Sequence, residues 1–213
     1  MTKPTFMCLL ETLHARGYLI QSPHARVSVM EEVALFLRTV GMHHRQRDSM
    51  ERFQHSLETI NRHVRRVIKA LNMLASEVIS PPNFNEVYEK IAANPEFSPF
   101  FNDAVGAIDG TLIPAWVPRS KQNAFRSRKA IVSQNVLAIC DFDLMFTYVY
   151  AGWEGSANDS LVLRNAVAND PSFLFPPPGT KMLKVIFRNF SSLIFVCIIN
   201  MCILICCRQI LSS

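Results

Sequence analysis

The chain has 213 residues, 49% of them hydrophobic, with a formal net charge of +5 and a pI of about 9.0. This length predicts one ordinary domain, or a small domain with a partial second one, and enough apolar residues for a sizeable core. The modest basic excess is compatible with nucleic acid or an anionic membrane as a partner. Six cysteines without a CxxC pair and partner histidines argue against a disulfide framework and a zinc site; the N-terminus shows no secretory segment, so a reducing intracellular compartment is expected.

The first 80 residues carry helical patterns. Ser28, followed three residues later by Glu31, is a capping box, and the helix that it opens is expected to end on a left-handed cap at Gly41. A second, longer helix is predicted to begin at an N-cap on Ser56 and to stop at the double proline 81–82. Its apolar face consists of Ile60, Val64, Val67, Leu71 and Leu74.

A short helix over 48–53 ("DSMERF") directly precedes the long one. A short helix, a turn and a longer helix are the parts of a helix-turn-helix, which places side chains of its second helix in the DNA major groove. The second helix carries four basic residues, Arg62, Arg65, Arg66 and Lys69. Two interpretations stay open from the pattern: these residues bind DNA, or they form a solvated basic face on a small helical bundle.

From about residue 100 to 180 the pattern changes to that of strands. "AVGAIDGTLI" (104–113) is strand-like, and "QNVLAICD" and "LMFTYVYAGW" predict a hairpin with Asp141 and Asp143 at its turn. "GSANDSLVLRNAVAN" then predicts a turn leading into a helix with Asp159 near its start. This order of elements indicates an α/β domain with a mixed sheet.

Asp109 ends an apolar run and is followed by Gly110, so it reads as the tip of a buried strand. A carboxylate there can cap a turn. It can also bind a metal, because Mg²⁺ and Mn²⁺ prefer carboxylate oxygens, and Asp159 at the end of a second element is a suitable partner. Residues alone leave both possibilities open.

Three segments resemble the nuclease domain of Harbinger-type transposases and their plant transposase-derived relatives: "VGAIDGTLIPAWVP", "SQNVLAICDFDLMFTYVYAGWEGSANDSLVL" and "FLFPPPG". The helical segment "EEVALFLRTVG…ERFQHSLETINRHVRRVIKAL" resembles the region that precedes that domain, so the resemblance covers roughly residues 5–180. It implies a ribonuclease-H-like fold whose DDE acids bind two Mg²⁺ or Mn²⁺ ions and cut DNA. Asp109 then matches the first catalytic and metal-binding acid, and Asp159 the second.

The same resemblance sets expectations for partners and for what departs from the family. It implies DNA as the partner, a Myb-like protein as a second one, and the nucleus as the location. After "FPPPG" the family continues with a strand bearing the third acid in a "VDAGY"-like stretch, whereas this sequence has no Asp or Glu after Asp170. The two-ion site is therefore expected to be incomplete. The strand that bears the third acid in the family, and the helices after that strand, are expected to be missing.

Two further segments give expectations. The basic loop 118–130 ("PRSKQNAFRSRKA") follows the first strand, and its side chains either contact DNA phosphates or are simply solvated. They are Arg119, Lys121, Arg126, Arg128 and Lys129. The apolar tail has a marginal membrane span at 191–207, which would place the chain on a membrane; a sheet-capping or aggregating segment is the alternative.

The predicted fold is α/β (α+β overall): a helical, helix-turn-helix-like domain over 1–82, a linker with a short helix over 83–100, a partial ribonuclease-H-like mixed-sheet domain over 101–181, and an aberrant apolar tail over 182–213. The predicted function is that of a truncated, transposase-derived DNA endonuclease homologue with impaired metal-dependent cleavage. The alternatives are a non-catalytic DNA- or protein-binding remnant and a membrane-tethered fragment, so whether the chain is an enzyme stays open.

Overall fold

The structure is a computed structural model that describes residues 1–41, 46–81, 84, 88–143 and 145–184, without the side chains of residues 46, 47 and 184. The described chain divides into two compact units, one over residues 1–78 and one that begins at residue 79. Each unit has a hydrophobic core of its own, one made by helices and one made between a sheet and a helix.

The helical unit contains four helices: α1 (Lys3–Ala15), α2 (Val29–Gly41), α3 (Gln46–Phe53) and α4 (Leu57–Val78). Its core consists of apolar side chains from α1, α2 and α4, together with Leu19 between α1 and α2. Four of the five residues predicted to line the apolar face of α4 are buried, namely Ile60, Val64, Val67 and Leu71, and Leu74 packs against them partly buried. The buried face of α4 that the three- and four-residue spacing of apolar residues predicts is therefore confirmed.

Two of the predicted helix starts are confirmed. The backbone N–H of Glu31 donates to Ser28 Oγ at 3.2 Å, and that of Thr59 donates to Ser56 Oγ at 3.2 Å. The predicted left-handed cap at Gly41 is wrong, because this glycine is the last residue of α2 and has no positive φ. The short helix expected over 48–53 is present as α3, which begins two residues earlier.

The second unit is built on four strands: β1 (Ala104–Pro114), β2 (Ser133–Cys140), β3 (Phe146–Glu154) and β4 (Lys181–Lys184). Its helices are α5 (Glu89–Ala92), α6 (Gln122–Phe125) and α7 (Asp159–Asn169), with a 3₁₀ turn over Arg119–Lys121. Val162 and Ala166 of α7 pack on Leu137, Ile139 and Tyr148 of the sheet, with Phe173 beside them. One face of the sheet is thereby covered by α7.

The strand order is β3-β2-β1-β4, with β1, β2 and β3 antiparallel and β4 parallel to β1. The predicted hairpin is confirmed, because β2 and β3 pair across a turn that Asp141 closes by accepting the backbone N–H groups of Asp143 and Met145, each at 2.9 Å. This mixed sheet, with helices before it, confirms the predicted fold class.

The strand expected to be missing after "FPPPG" is present, so that expectation is wrong. Residues 181–184 ("KMLK") form β4, whose partners on β1 include Gly106, Ala107 and Ile108. Backbone hydrogen bonds, which need no particular side chain, hold β4 beside β1. Lys181 adds two contacts with Asp103: its Nζ pairs with Oδ2 at 2.5 Å, and its backbone N–H donates to the carbonyl oxygen at 2.7 Å. The hydrogen bond from Lys181 also lowers the pKa of Asp103.

The candidate membrane segment 191–207 lies outside the described residues. Within the part of the chain that is described, no helix is both long and apolar enough to span a bilayer.

Candidate functional site

Asp109 lies in the middle of a strand, and the expectation that it marks a strand tip is wrong. β1 continues through Gly110 and Thr111 to Pro114, because these residues pair with β2 as regularly as those before them. Asp109 is half-buried, and its Oδ1 accepts the backbone N–H of Gly110 at 2.9 Å. A carboxylate therefore lies within β1, one residue beyond the last residue that pairs with β4.

Asp159 is the first residue of α7, as the sequence predicted for the start of this helix. The preceding residue, Asn158, is the N-cap, and its side chain accepts the backbone N–H of Leu161 at 2.8 Å. Because Asn158 supplies the cap, the carboxylate of Asp159 is not used for it and turns toward the sheet. A negative charge in the first turn is also favourable for the helix dipole.

Gly110 is the residue that both predicted acids contact. A Cβ added to this glycine would lie 2.0 Å from Oδ1 of Asp159 and 2.3 Å from its Cγ. The carboxylate of Asp159 thus occupies the space that any other side chain at position 110 would fill, while Asp109 bonds the N–H of the same glycine. Both predicted acids therefore contact one residue, although they lie 50 positions apart in the sequence.

Asn135 holds Asp159 in this position, and the sequence analysis did not identify it. Its Nδ2 donates to Asp159 Oδ1 and to the carbonyl oxygen of Ala157, each at 2.9 Å, and two acceptors on one side fix which end of the amide is the nitrogen. Asn135 is 3% exposed, and its Oδ1 is buried without a hydrogen-bond partner among the described residues. The signal that could have identified Asn135 is the run of polar residues "SQN" at the start of β2, since a buried amide needs a hydrogen-bond partner.

The two carboxylates satisfy part of what a divalent cation requires. Mg²⁺ and Mn²⁺ prefer carboxylate oxygens, and each of the two acids contacts Gly110: Asp109 accepts its N–H, and Asp159 fills the space where a side chain would lie. Among the described residues there is no group of three His, Cys, Asp or Glu side chains suited to a metal ion. Metal binding by Asp109 and Asp159 therefore stays a prediction.

The basic loop 118–130 packs against the connection that leads into Asp159. The N–H of Ser156 donates to the carbonyl oxygen of Ala124 at 3.3 Å, and the Cα of Gly155 lies so close to the Phe125 carbonyl that an added Cβ would be 2.7 Å from it. All five basic residues of the loop are exposed. In the described part of the chain none of them pairs with a carboxylate; Arg126 donates to the carbonyl oxygen of Ala130 at 3.1 Å.

The predicted basic residues of α4 lie together but differ in their surroundings. Arg62, Arg65, Arg66 and Lys69 all line an open groove along the helix. Arg66 donates to Glu32 Oε1 at 2.7 Å and also to the carbonyl oxygen of Ile20. Its guanidinium therefore has protein partners, whereas Arg62, Arg65 and Lys69 are exposed.

Comparison with known proteins finds a family match in each of the two units. Residues 108–183 match the family described as DDE superfamily endonuclease, and residues 1–73 match the domain of unknown function DUF8040. A relative from Arabidopsis thaliana, described as "Protein ALP1-like", is 30% identical over 148 residues, which is 66% of this chain and 34% of that protein. The chain thus spans about a third of the length of this curated relative. No solved structure matches it.

The matched region begins one residue before Asp109 and ends within β4, so it contains Asp109, Gly110, Asn135 and Asp159. Endonucleases of this superfamily use divalent metal ions. The two carboxylates against Gly110, the mixed sheet and the match agree with the resemblance to Harbinger-type transposase-derived proteins. Residues 108–183 thus match the DDE superfamily endonuclease family, and the chain is similar to part of an ALP1-like protein.

Proposed function

We propose that this chain is a transposase-derived nuclease homologue that binds DNA and holds one divalent cation weakly, and that by itself it cuts DNA slowly or not at all. The observation that carries the proposal is the approach of Asp109 and Asp159 to the same glycine. The glycine leaves room for the carboxylate of Asp159 against the sheet, and we assign this carboxylate to a cation. DNA as the partner also makes the nucleus the proposed location.

The residues of the chain have distinct tasks in this proposal. Asp109 and Asp159 hold the cation, which when bound would polarise a phosphate oxygen and lower the pKa of water. Asn135 keeps Oδ1 of Asp159 in place through its amide N–H. The exposed cations of loop 118–130, beside the connection that precedes Asp159, bind the phosphates of the strand to be cut.

Slow or absent cleavage follows from the number of acids. A two-ion site is held by several carboxylates in fixed geometry, and this sequence has no Asp or Glu beyond Asp170. Among the described residues, no third His, Cys, Asp or Glu side chain joins these two acids in a group suited to a metal ion. The same count supports the second candidate function, in which the chain binds DNA, or a Myb-like protein, without cutting.

The test uses the full chain with supercoiled plasmid and Mn²⁺, beside the variants Asp109→Asn and Asp159→Asn. We expect DNA binding that weakens steeply with salt, and cleavage close to the level of either variant. Robust Mn²⁺-dependent cleavage that Asp109→Asn abolishes would overturn the expected impairment while supporting the site. An absence of DNA binding at low salt would contradict the DNA-binding function itself.

A further inference from the structure

Trp116 is the feature of the second unit that neither the fold nor the two carboxylates explain. Its side chain is 96% exposed, in the segment that follows β1, whereas Trp153 packs partly buried against the core. Burial of an indole is favourable because it removes a large apolar surface from water. In the folded chain, the indole of Trp116 therefore keeps a large apolar surface that a ligand can cover.

The backbone on both sides of Trp116 is fixed, so the exposed position of the indole is built into the fold. The N–H of Ala115 donates to the carbonyl oxygen of Val132 at 3.0 Å. Val117 is buried, and its carbonyl oxygen accepts Gln122 Nε2 at 3.1 Å. Fixed neighbours lower the entropy lost when a ligand stacks on the ring.

The sequence segment around Trp116 carries charges of one sign. No Asp or Glu occurs between Asp109 and Asp141, while that stretch contains the five cations of loop 118–130. The loop returns beside Trp116, because Val132, the partner of Ala115, also forms a bridge with Arg126. A ligand at this place meets a flat apolar ring and exposed cations, which together suit an anionic molecule with aromatic rings.

We propose that Trp116 stacks on an unpaired base of a DNA strand whose phosphates are bound by loop 118–130. This inference rests on the proposed DNA-binding function and adds an unpaired base to it. The base must be unpaired because a ring can cover a base face only when the base has left the duplex stack. An anionic membrane is the other surface that attracts a tryptophan among cations, but exposed apolar neighbours are few here: Leu112 and Ile131, at 38% and 51% exposure, are the nearest in sequence on either side.

The experiment measures DNA binding by the full chain with a single-stranded oligonucleotide and a blunt duplex of the same sequence. We expect Trp116→Ala to weaken single-strand binding about 5- to 100-fold and duplex binding much less, with an unchanged salt slope. Trp116→Phe should keep part of the affinity. Phe100→Ala, which removes another exposed aromatic ring (75% exposed), is the matched control and should change neither.

A second readout is independent of variant affinity. With Trp153→Phe, Trp116 is the remaining tryptophan of the chain, and stacking should quench its fluorescence when the oligonucleotide is added. Equal affinities of wild type and Trp116→Ala with no quenching would overturn the stacking proposal while leaving DNA binding intact. A blue shift with anionic phospholipid vesicles, without quenching by DNA, would also overturn it in favour of a membrane. No DNA binding by the wild type at low salt would contradict both proposals.

Discussion

The two units of this chain differ in what holds a functional or buried carboxylate and in whether their basic clusters are paired. In the helical unit the fully buried Glu32 of α2 accepts hydrogen bonds from His63 and Arg66 of α4. These contacts join α2 to α4. In the second unit Asp159 is held by a neutral amide, and the five cations of loop 118–130 pair with no carboxylate in the described structure.

This difference separates two sets of residues that look alike in the sequence. Both α4 and loop 118–130 carry clusters of Arg and Lys, but one member of the α4 cluster is committed to a buried carboxylate. Cations without protein partners remain available to a ligand, because no internal ion pair has to be broken first. The loop is thus the stronger candidate for phosphate binding, and each prediction below tests this contrast.

The largest effect is expected for Glu32→Ala. The change leaves His63 and Arg66 without their shared acceptor and should lower the free energy of unfolding by about 3 kcal/mol. Urea denaturation followed by circular dichroism measures it. The control is Glu31→Ala, which breaks the more exposed pair with His55 and should cost less than about 1 kcal/mol. Equal losses would show that the buried carboxylate does not join the helices.

Gly110→Ala should destabilise the second unit by about 2 kcal/mol, because its new methyl group would overlap Asp159. Thermal unfolding of the full chain measures the change. Gly41→Ala is the matched control: no atom lies within 4 Å of the added Cβ, and alanine favours the helix, so stability should stay equal or rise by up to about 1 kcal/mol. If Gly110→Ala is equally harmless, the carboxylate does not occupy the space above Gly110.

Salt dependence of DNA binding compares the two basic clusters directly. Replacing Arg119, Lys121 and Arg128 by Gln should reduce the slope of log affinity against log salt by about 2.7, since each of the three lost phosphate contacts removes about 0.9 from it. Replacing Arg62, Arg65 and Lys69 should reduce it less. Filter binding at several salt concentrations provides both slopes. A larger reduction from the α4 variant would reverse the ranking and favour the helix-turn-helix interpretation.

The smallest effect concerns Tyr88 and appears at alkaline pH. Burial, and then the charge of Asp141 and a hydrogen bond with it, raise the pKa of Tyr88 from 10.0 to about 12, with a further contribution from Asp143. A raised pKa in the folded state means that stability is retained below pH 10.0 and lost as the pH rises toward about 12. Tyr88→Phe should remove this loss, whereas Tyr18→Phe in the helical unit should keep it. Denaturation at a series of alkaline pH values measures the difference.

The sequence predicted those elements that have strong local signals. The apolar spacing of α4, the capping serines, and the hairpin around Asp141 all depend on neighbours in the chain, and each is confirmed. β4 was not predicted, because its four residues include two lysines and show no clear alternation, and its pairing with β1 is made by distant backbone groups. Tertiary pairing overrides weak local preference in such a strand.

For the candidate site, the sequence identified the two acids but not what joins them. Resemblance singled out Asp109 and Asp159 individually. The role of Gly110 depends on the approach of α7 to the sheet, and that of Asn135 on the register of β2, neither of which can be read from one strand alone. In the same way, the cations of α4 could not be divided into paired and unpaired ones until Glu32 was placed beside Arg66.

The central claim, that Asp109 and Asp159 form half of a metal site, is tested most directly by Mn²⁺ binding followed through the electron paramagnetic resonance signal of the free ion. The account predicts weak uptake by the wild type, loss of most of it in Asp109→Asn and in Asp159→Asn, and no change in Asp143→Asn, a carboxylate paired with Lys90 at the distant hairpin turn. Equal uptake by the wild type and both site variants, or no uptake by the wild type, would contradict it.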